Sequence, residues 1–437
     1  MSEPRGPASD PAHAGPDAGG PPATTAAARG PAGIHPNVVA LGFTSLLTDV
    51  SSEMLVPVLP LFVTATLGAS VASLGLIEGV AEATASALRL VSGRLSDAVG
   101  RRKPFVVAGY ALSGACKTTM AWAGSWTALL GLRFGDRVGK ALRNPARDAL
   151  IADSTPAPLL GRAFGLHRAM DTTGAAMGPL VAWWLLAEWS GLGAEGYRRI
   201  FLVSVIPAAL AIVVLVAFVR APRDAAPAPA RAAGSAPAAR APLGPRFARF
   251  VAADALFQLG HSSVAFLLLR SQRSGFSAGE VALVYLGYNL LAAALAYPFG
   301  GLSDKVGRRP LLLAGYLLYA LAYWVAAFAP TREGAVVAFA LLAVHTALAD
   351  GQARSLVADL VPRERRATAY GVYHGVVGAA LLPASLVAGL LWERVGPQAP
   401  FALGALLALA AALALATLLP PERGARPVRE AGADSHA

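Results

Sequence analysis

The chain has 437 residues, of which 55% are hydrophobic and 14% are charged, and its formal net charge is +11. Soluble domains contain about a quarter charged residues, so this composition excludes an ordinary soluble domain. The positive charge could indicate nucleic-acid binding, but cytoplasmic loops of membrane proteins also accumulate Lys and Arg and explain the charge better.

The chain begins with a Pro-, Gly-, Ala- and Ser-rich segment, residues 1–36, which lacks the apolar core of a signal peptide and is predicted to be a disordered tail. Six apolar blocks follow, each long enough to cross a bilayer. They cover 37–67, 71–95, 104–124, 126–152, 160–188 and 199–219. After an Ala/Pro/Arg-rich linker, 221–246, come 247–269, 279–299, 310–329, 335–360, 367–391, 399–419 and a second tail, 421–437.

This order predicts an all-α membrane protein with 12 transmembrane helices in two pseudo-symmetric six-helix bundles, residues 37–220 and 247–420. Basic residues concentrate in the loops on the side of the two tails. Because such loops usually face the cytoplasm, we expect both termini and the linker to be cytoplasmic. We expect a multi-pass protein of the plasma (inner) membrane. We also expect it to be a monomer.

The two predicted bundles repeat one another in sequence. GRLSDAVGRRKP at 93–104 matches GGLSDKVGRRP at 300–310, and DALIADSTP at 148–156 matches RSLVADLVP at 354–362. Three matched pairs keep a nearly constant separation: Asp97/Asp304, Asp153/Asp359 and Gly165/Gly371. A duplicated six-helix unit is the architecture of transporters whose halves move around a site at the bilayer midplane.

On these motifs the chain resembles the major facilitator superfamily over residues 37–419, and the resemblance implies that superfamily's fold. Its loop motif is G-x3-D-(R/K)-x-G-x-(R/K)-(R/K). The second copy matches at Gly300, Asp304, Lys305, Gly307, Arg308 and Arg309. The first has Gly93, Asp97, Gly100, Arg101 and Arg102, with Ala98 at the usual cation position. The motif implies a gating role, in which contacts between helix ends form in one conformation of the transporter and break in the other. Its cations also serve to determine the topology in the membrane.

A second resemblance concerns the fifth block. Gly165, Gly174, Gly178 and Pro179 follow the spacing G-x8-G-x3-G-P, which is similar to the antiporter motif of the 12-helix drug:proton exporters. The usual closing Gly-Gly is replaced by Ala182 and Trp183. The resemblance implies efflux. The alternative is that small residues only let neighbouring helices pack closely.

The fourth block contains seven charged residues within LRFGDRVGKALRNPARD, residues 132–148. At 100° per residue all seven fall on one arc of about 140°, so this stripe must face protein or a water-filled cavity. In the superfamily the fourth helix lines the central cavity, with an arginine at the position of Arg133. Pro145 predicts a bend or the start of a loop, which would place Arg143 and the residues after it near the surface and leave four intramembrane charges: Arg133, Asp136, Arg137 and Lys140.

Opposite charges lie on the first two blocks. Asp49 and Glu53, and likewise Glu78 and Glu82, are four residues apart and share a helix face. They are candidate proton carriers, or alternatively members of a static salt-bridge network. Asp254 and His261 could line the same cavity from the second bundle. Two other residues are harder to place: Lys117, which has no evident partner, and Asp171, which Arg168 could neutralise.

The pattern favours a secondary active transporter that works by alternating access and couples efflux of an anionic or zwitterionic small molecule to protons. The alternatives are an uptake permease or uniporter for an organic anion or metal chelate, and a non-transporting membrane sensor. The sequence has no nucleotide-binding loop, metal-ligand cluster or nucleophile elbow. We therefore expect no enzymatic activity, no cofactor, no metal and no nucleic-acid partner, only substrate, protons and lipid.

Overall fold

A computed structural model describes residues 34–99, 102–156, 159–220, 243–362 and 365–420. The description does not extend to the side chains of 89–99, 161, 297, 300, 301, 304, 350 and 367. Nearly all of the predicted tails and linker (1–36, 221–246 and 421–437) therefore lies outside the described residues.

The described residues form twelve helical spans, six in each half, and this confirms the predicted fold class. The N half contains span 1 (Pro36–Glu53, Leu59–Leu61 and a π-helix Phe62–Thr66), span 2 (Val71–Val99), span 3 (Arg102–Thr119 and a 3₁₀ turn Met120–Trp122), span 4 (Trp126–Asp153), span 5 (Leu160–Glu188) and span 6 (Ala194–Val203 and Val205–Phe218). The C half contains span 7 (Pro245–Gly260 and Val264–Arg273), span 8 (Ala278–Val306), span 9 (Arg308–Phe328), span 10 (Arg332–Leu360), span 11 (Arg366–Arg394) and span 12 (Ala399–Leu418).

Eight spans of the described chain are long and apolar enough to cross a membrane by length and composition. The other four are spans 1, 3, 4 and 5, in which polar and charged side chains dilute the apolar ones. The surface of the apolar spans is hydrophobic: Ile206, Leu210 and Val213 of span 6 and Leu409 and Leu413 of span 12 are all exposed. The protein is therefore a multi-pass integral membrane protein.

The first span of each half is broken. In span 1 the helix ends at Glu53 and resumes at Leu59, and Pro57 in between has no amide hydrogen to donate. In span 7 the helix ends at Gly260 and restarts at Val264, where the Ser263 side chain accepts a hydrogen bond from the backbone N–H of Ala265. Irregular backbone at membrane depth is tolerated only where protein or a cavity surrounds it, so both breaks mark the interior of the bundle.

The two ends of the bundle differ in charge. At one end, called the basic end, Lys103 donates to the carbonyls of Val216 (3.0 Å) and Val219 (2.6 Å) at the end of span 6. In the C half, Arg309 makes the corresponding bond to Ala416 of span 12 (2.9 Å). The cations thus satisfy carbonyls that a helix leaves unbonded at its C-terminus. The opposite end, which carries the turns at Gly124 and Gln398, is called the far end.

The halves contact each other mainly along spans 2 and 11, and small residues set the distance. A Cβ atom added to Gly75 would lie 2.3 Å from the carbonyl oxygen of Ser385. A Cβ atom on Gly389 would lie 2.7 Å from the Cα of Ala72. Such close approach of two backbones is typical of small-residue interfaces in membranes. Because these residues lie near the beginning of span 2 and the end of span 11, the halves are closed against each other toward the far end.

We predict that Gly75→Ala destabilises the protein, because the added methyl group overlaps the Ser385 carbonyl and overpacking typically costs about 1–3 kcal/mol. Gly131→Ala is the matched control, since a Cβ atom there meets no other atom within 4 Å. Thermal unfolding in detergent should show a lower midpoint for the first variant only. Equal midpoints for the two variants would contradict the tight interface.

Candidate functional site

Span 4 remains helical from Trp126 to Asp153 with Pro145 inside it, so the prediction that a loop starts at Pro145 is wrong. Arg143, expected near the surface, is only 4% exposed and its guanidinium lies 4.4 Å from the ring centroid of Tyr110. Neighbouring spans enclose this part of the helix, and a proline is tolerated in such a setting because the freed backbone groups find other partners. The charged stripe is therefore longer than predicted.

The upper part of the stripe, toward the far end, is paired with span 2. Arg133 contacts Glu78 at 3.2 Å and Asp136 at 3.6 Å. Arg137 contacts Glu82, also at 3.2 Å. The structure thus brings together predicted residues of opposite charge across two spans, with side chains of Arg133 and Glu78 that are 12% and 8% exposed. Charges this deeply buried are tolerated because each has an opposite partner.

Span 3 completes this network through two residues. Ser113 donates a hydrogen bond to Asp136 (2.5 Å), which faces span 3 and is 6% exposed. Lys117, for which the sequence indicated no partner, is 2% exposed and donates to the Ser52 hydroxyl of span 1 (2.9 Å). The charge of Asp136 also acts on Lys117. The lysine therefore connects spans 1 and 3 beside the charged stripe.

Near the middle of the bundle, Asp49 and Lys140 are not paired with other described residues, and Arg143, three residues from Lys140, has the Tyr110 ring in place of a carboxylate. Within the part of the chain that the structure describes, neither Asp49 of span 1 nor Lys140 of span 4 makes a hydrogen bond or an ion pair. Among the charged residues around Asp49 are Asp171, Lys140, Glu53 and Arg143. Both residues are about 20 Å along their helices from the basic end at 1.5 Å per residue, which is close to the midplane. Uncompensated charges at this depth are expensive and mark functional sites.

Asp171 of span 5 is the third member of this middle group. Its carboxylate contacts Nδ1 of His167, one turn earlier on the same helix (3.5 Å), and makes no ion pair with Arg168 among the described residues. The second carboxylate oxygen of Asp171 is buried and lacks a hydrogen-bond donor among the described residues. The group could not be recognised from the sequence because Asp171 and Asp49 lie on spans that are far apart in the chain. The spacing of four between His167 and Asp171 was the available signal.

The glycines of the antiporter-like motif pack directly on span 1. A Cβ atom at Gly174 would lie 2.4 Å from the carbonyl oxygen of Leu46 and 3.0 Å from the Cβ of Asp49. A Cβ atom at Gly178 would lie 2.7 Å from the Cβ of Glu53. Pro179 lies inside the span 5 helix, and Gly165 faces open space. Close helix packing thus accounts for two of the glycines, and the backbone that they touch carries the candidate acids.

The candidate residues of the C half lie in a neutral, aromatic environment. Asp254 is 1% exposed and accepts hydrogen bonds from Tyr316 and from Gln258 (3.4 Å). Gln258 in turn contacts His261 (3.2 Å), and the ring of Phe257 stacks on Tyr316 with 4.2 Å between centroids. Asp254 thus sits among hydroxyl and amide donors within the C half. That Asp254 and His261 line the central cavity stays a prediction.

The loop motif contributes one ion pair in each half at the basic end. Arg102 pairs with Asp153, and Arg308 pairs with Asp359 (2.5 Å), at the same separation of 51 positions. Lys305 is exposed at the end of span 8, and Gly307, with φ +90°, turns the chain into span 9. The remaining motif positions lie outside the described residues or the described side chains: Gly93, Asp97, Gly100, Arg101, Gly300 and Asp304.

The repeat in the sequence contained the signal for these partners, because Asp153 and Asp359 are matched positions of the two halves. What the sequence did not indicate was that they pair with the motif's arginines. The gating role of the motif remains a prediction, and each ion pair connects two spans of one half: spans 3 and 4, or spans 9 and 10.

Comparison with known proteins agrees with this geometry. A sequence profile of the Major Facilitator Superfamily matches residues 41–270 and 250–436. The chain belongs to the Major Facilitator Superfamily. Among its relatives in the superfamily is the uncharacterized MFS-type transporter MJ1317 of Methanocaldococcus jannaschii, which is 35% identical over 387 residues, 87% of this chain and 94% of the relative.

Two further similarities are more limited, one in its extent and the other in its sequence identity. Multidrug resistance protein MdtH of Aeromonas hydrophila subsp. hydrophila is 30% identical over 146 residues, which is 33% of this chain and 36% of that protein. The structure of the nucleoside transporter NupG, solved as a point mutant, matches this one with a TM-score of 0.74 at 15% sequence identity. The match covers 87% of this chain and 99% of the NupG chain. The second likeness is one of fold alone. The chain is therefore a superfamily transporter embedded in a membrane.

We predict that exchanging the charges of the first motif pair preserves stability. Arg102→Asp or Asp153→Arg alone should lower the free energy of unfolding by about 1 kcal/mol or less, because partly exposed ion pairs contribute little. The double variant with both changes should return toward the wild type in denaturant unfolding in mixed micelles. A double variant that loses the sum of both single effects would show that the pair contributes nothing.

Proposed function

We propose that this transporter exports a small anionic or zwitterionic molecule in exchange for protons. It works as a monomer in the plasma (inner) membrane, with the basic end and both termini in the cytoplasm. The orientation is supported by the concentration of Lys and Arg at the basic end, since positively charged loops stay on the cytoplasmic side. The far end, at which the halves are in contact, is then the outer side.

The proton coupling is supported by one observation above all, which is that Asp49 has no partner among the described residues. Glu53, Glu78, Glu82 and Asp136 each have a donor or a cation at bonding distance. A carboxylate without either is stabilised by a proton or by a cationic ligand. Asp49 lies within reach of the charges of Asp171 and Lys140, so a change in its charge alters the balance among spans 1, 4 and 5.

The substrate class is supported by Lys140. The neighbouring cations Arg133, Arg137 and Arg147 are bonded to carboxylates and Arg143 lies against the ring of Tyr110, whereas Lys140 has neither kind of partner in the described chain. An ammonium group of this kind is available to an anionic group of a substrate. An anion at Lys140 and a proton at Asp49 change the same local charge in opposite directions, so the two ligands can exchange within one cavity. Alternating access then carries one ligand each way.

The direction of transport, export from the cell, is supported by two features. MdtH, similar to a third of this chain, is described as a multidrug resistance protein. The antiporter-like glycines Gly174 and Gly178 press on the backbone of span 1 at Asp49 and Glu53. Span 5 is therefore packed directly against the segment that carries the proposed proton site. An uptake permease or uniporter for an organic anion or metal chelate remains the alternative against which this proposal is tested.

We predict that Asp49→Asn abolishes the coupling of transport to protons but leaves the exchange of substrate for substrate across the membrane intact. In everted vesicles acidified inside, a panel of organic anions, zwitterions and metal chelates is added, and proton efflux is followed with a pH-sensitive dye. The wild type should release protons with its substrates, and Asp49→Asn should not, because an amide cannot bind the proton. Counterflow without a pH gradient should persist in the variant.

The matched control is Glu195→Gln, which removes an exposed carboxylate paired with Arg199 at the far end. It should behave as the wild type does. Undiminished proton release by Asp49→Asn would remove Asp49 from the coupling. A wild-type protein that transports at its full rate with no pH gradient, and that releases no protons, would favour the permease or uniporter instead.

We predict that Lys140→Gln raises the half-saturating concentration of an anionic substrate by at least about tenfold, the effect of losing one hydrogen bond to a charged group. Lys140→Arg should retain most of the affinity because it keeps the charge. Arg249→Gln, at an exposed arginine of the basic end, is the control. Substrate concentration curves in the same vesicles supply the measurement, and an unchanged curve for Lys140→Gln would place the anion elsewhere.

A further inference from the structure

Two of the hydrogen bonds between the halves run from hydroxyls of the C half to carboxylates of the N half. The hydroxyl of Tyr285 on span 8 donates to Oε2 of Glu53 on span 1 (2.9 Å). The hydroxyl of Ser263 in the break of span 7 donates to Oε2 of Glu78 on span 2 (3.1 Å). In both bonds the N half supplies a charged acceptor and the C half a neutral donor. Charge-assisted bonds of this type are roughly twice as strong as bonds between neutral groups.

Glu78 is bonded on both sides. Its Oε1 contacts Arg133 of its own half at 3.2 Å, and its Oε2 accepts from Ser263 of the other half. If the halves separate, Glu78 keeps Arg133 and loses only the hydroxyl. At Glu78, opening therefore breaks a hydrogen bond without leaving an unpaired carboxylate in the membrane, whereas Glu53 loses the one donor bonded to it in the described chain.

Both bonds lie at the same level of the bundle. Glu78, Arg133 and Tyr285 are each seven residues from the far end of their helices, which is roughly 10 Å at 1.5 Å per residue. Glu53 and Ser263 lie at the breaks of spans 1 and 7. Tyr285 is 7% exposed, so its hydroxyl has little access to water as a substitute acceptor. The two bonds form one layer between the middle group and the far end.

We propose that Tyr285 and Ser263, with Glu53 and Glu78, form a clasp that holds the far end closed and that opens in every transport cycle. The clasp is the pair of bonds Tyr285–Glu53 and Ser263–Glu78. Its role does not depend on the substrate, the direction of transport or the coupling ion. The two hydroxyls act as positioning groups: they set how long the halves stay together on one side of the cavity.

The test measures the distance between the halves at the far end. In a Cys116→Ser background, spin labels at Gly124→Cys and Gln398→Cys report the closed and open populations by pulsed electron resonance. Gly124 lies in an open turn and Gln398 is exposed, so neither label disturbs the clasp. Tyr285→Phe and Ser263→Ala should each shift the closed-to-open ratio by about tenfold toward open, the effect of one hydrogen bond to a charged group.

Matched controls distinguish the clasp from general loosening. Tyr319→Phe removes a buried hydroxyl that bonds to Gly260 within the C half (3.2 Å), and Ser271→Ala removes one that bonds to Leu267 in its own helix (2.9 Å). Both controls should keep the wild-type distance distribution. Ser263→Thr, which retains the hydroxyl, should also remain closed, and thermal unfolding in detergent confirms that each variant is folded.

A double-mutant cycle completes the test. Because Tyr285→Phe and Glu53→Gln both remove the same charge-assisted bond, their combined shift should be clearly smaller than the sum of the single shifts. Additive shifts, or a distribution unchanged by Tyr285→Phe and Ser263→Ala, would overturn the clasp. If the Tyr285→Phe and Ser263→Ala variants shift toward the open state but the wild type shows no proton-driven transport, the clasp stands and the proposed function is refuted. The two proposals therefore fail separately.

Discussion

The cost of holding charge away from water governs the N half of this transporter. Arg133 and Arg137 are stable inside the bundle only because Glu78 and Glu82 lie 3.2 Å from them on span 2. Lys117 uses a hydroxyl of span 1 in the same way. Spans 1 to 4 are therefore held together by polar contacts that lipid cannot replace, and the positions of these spans follow from where their charges can be matched.

The two halves divide the work unequally. The charged stripe and its partners belong to the N half, whereas the interior of the C half contains stacked aromatic rings, among them Tyr316, Tyr319 and Tyr323. Asp254, the acid at the centre of that aromatic group, is bonded to neutral donors. The neutral hydroxyls of Tyr285 and Ser263 can attach to and detach from the carboxylates of the N half without exchanging ions, which suits the proposed clasp. The internal repeat thus preserves the fold while the chemistry of its two copies has diverged.

Much of this could be predicted from the sequence, because the length of a bilayer crossing and the helical arc of span 4 are direct consequences of residue spacing. The continuation of that helix past Pro145 could not, since local propensity does not reveal that neighbouring spans enclose it. Tyr285 and Ser263 could not be found either, because a neutral hydroxyl in an apolar block gives no periodic signal. Arg168 and His167 both lie about one turn before Asp171, so spacing alone did not select the histidine as its partner.

The breaks in spans 1 and 7 affect the scale of motion in this molecule. Each of these spans consists of two helical rods, and the short rods lie on the far-end side of Glu53 and Ser263: Leu59–Leu61 continued by Phe62–Thr66 in span 1, and Val264–Arg273 in span 7. A tilt of these short rods separates the residues at the joints while the long rods, which carry Asp49 and Asp254, keep their positions. The geometry therefore permits a small local gate formed by the short rods, in addition to the rocking of whole six-helix units.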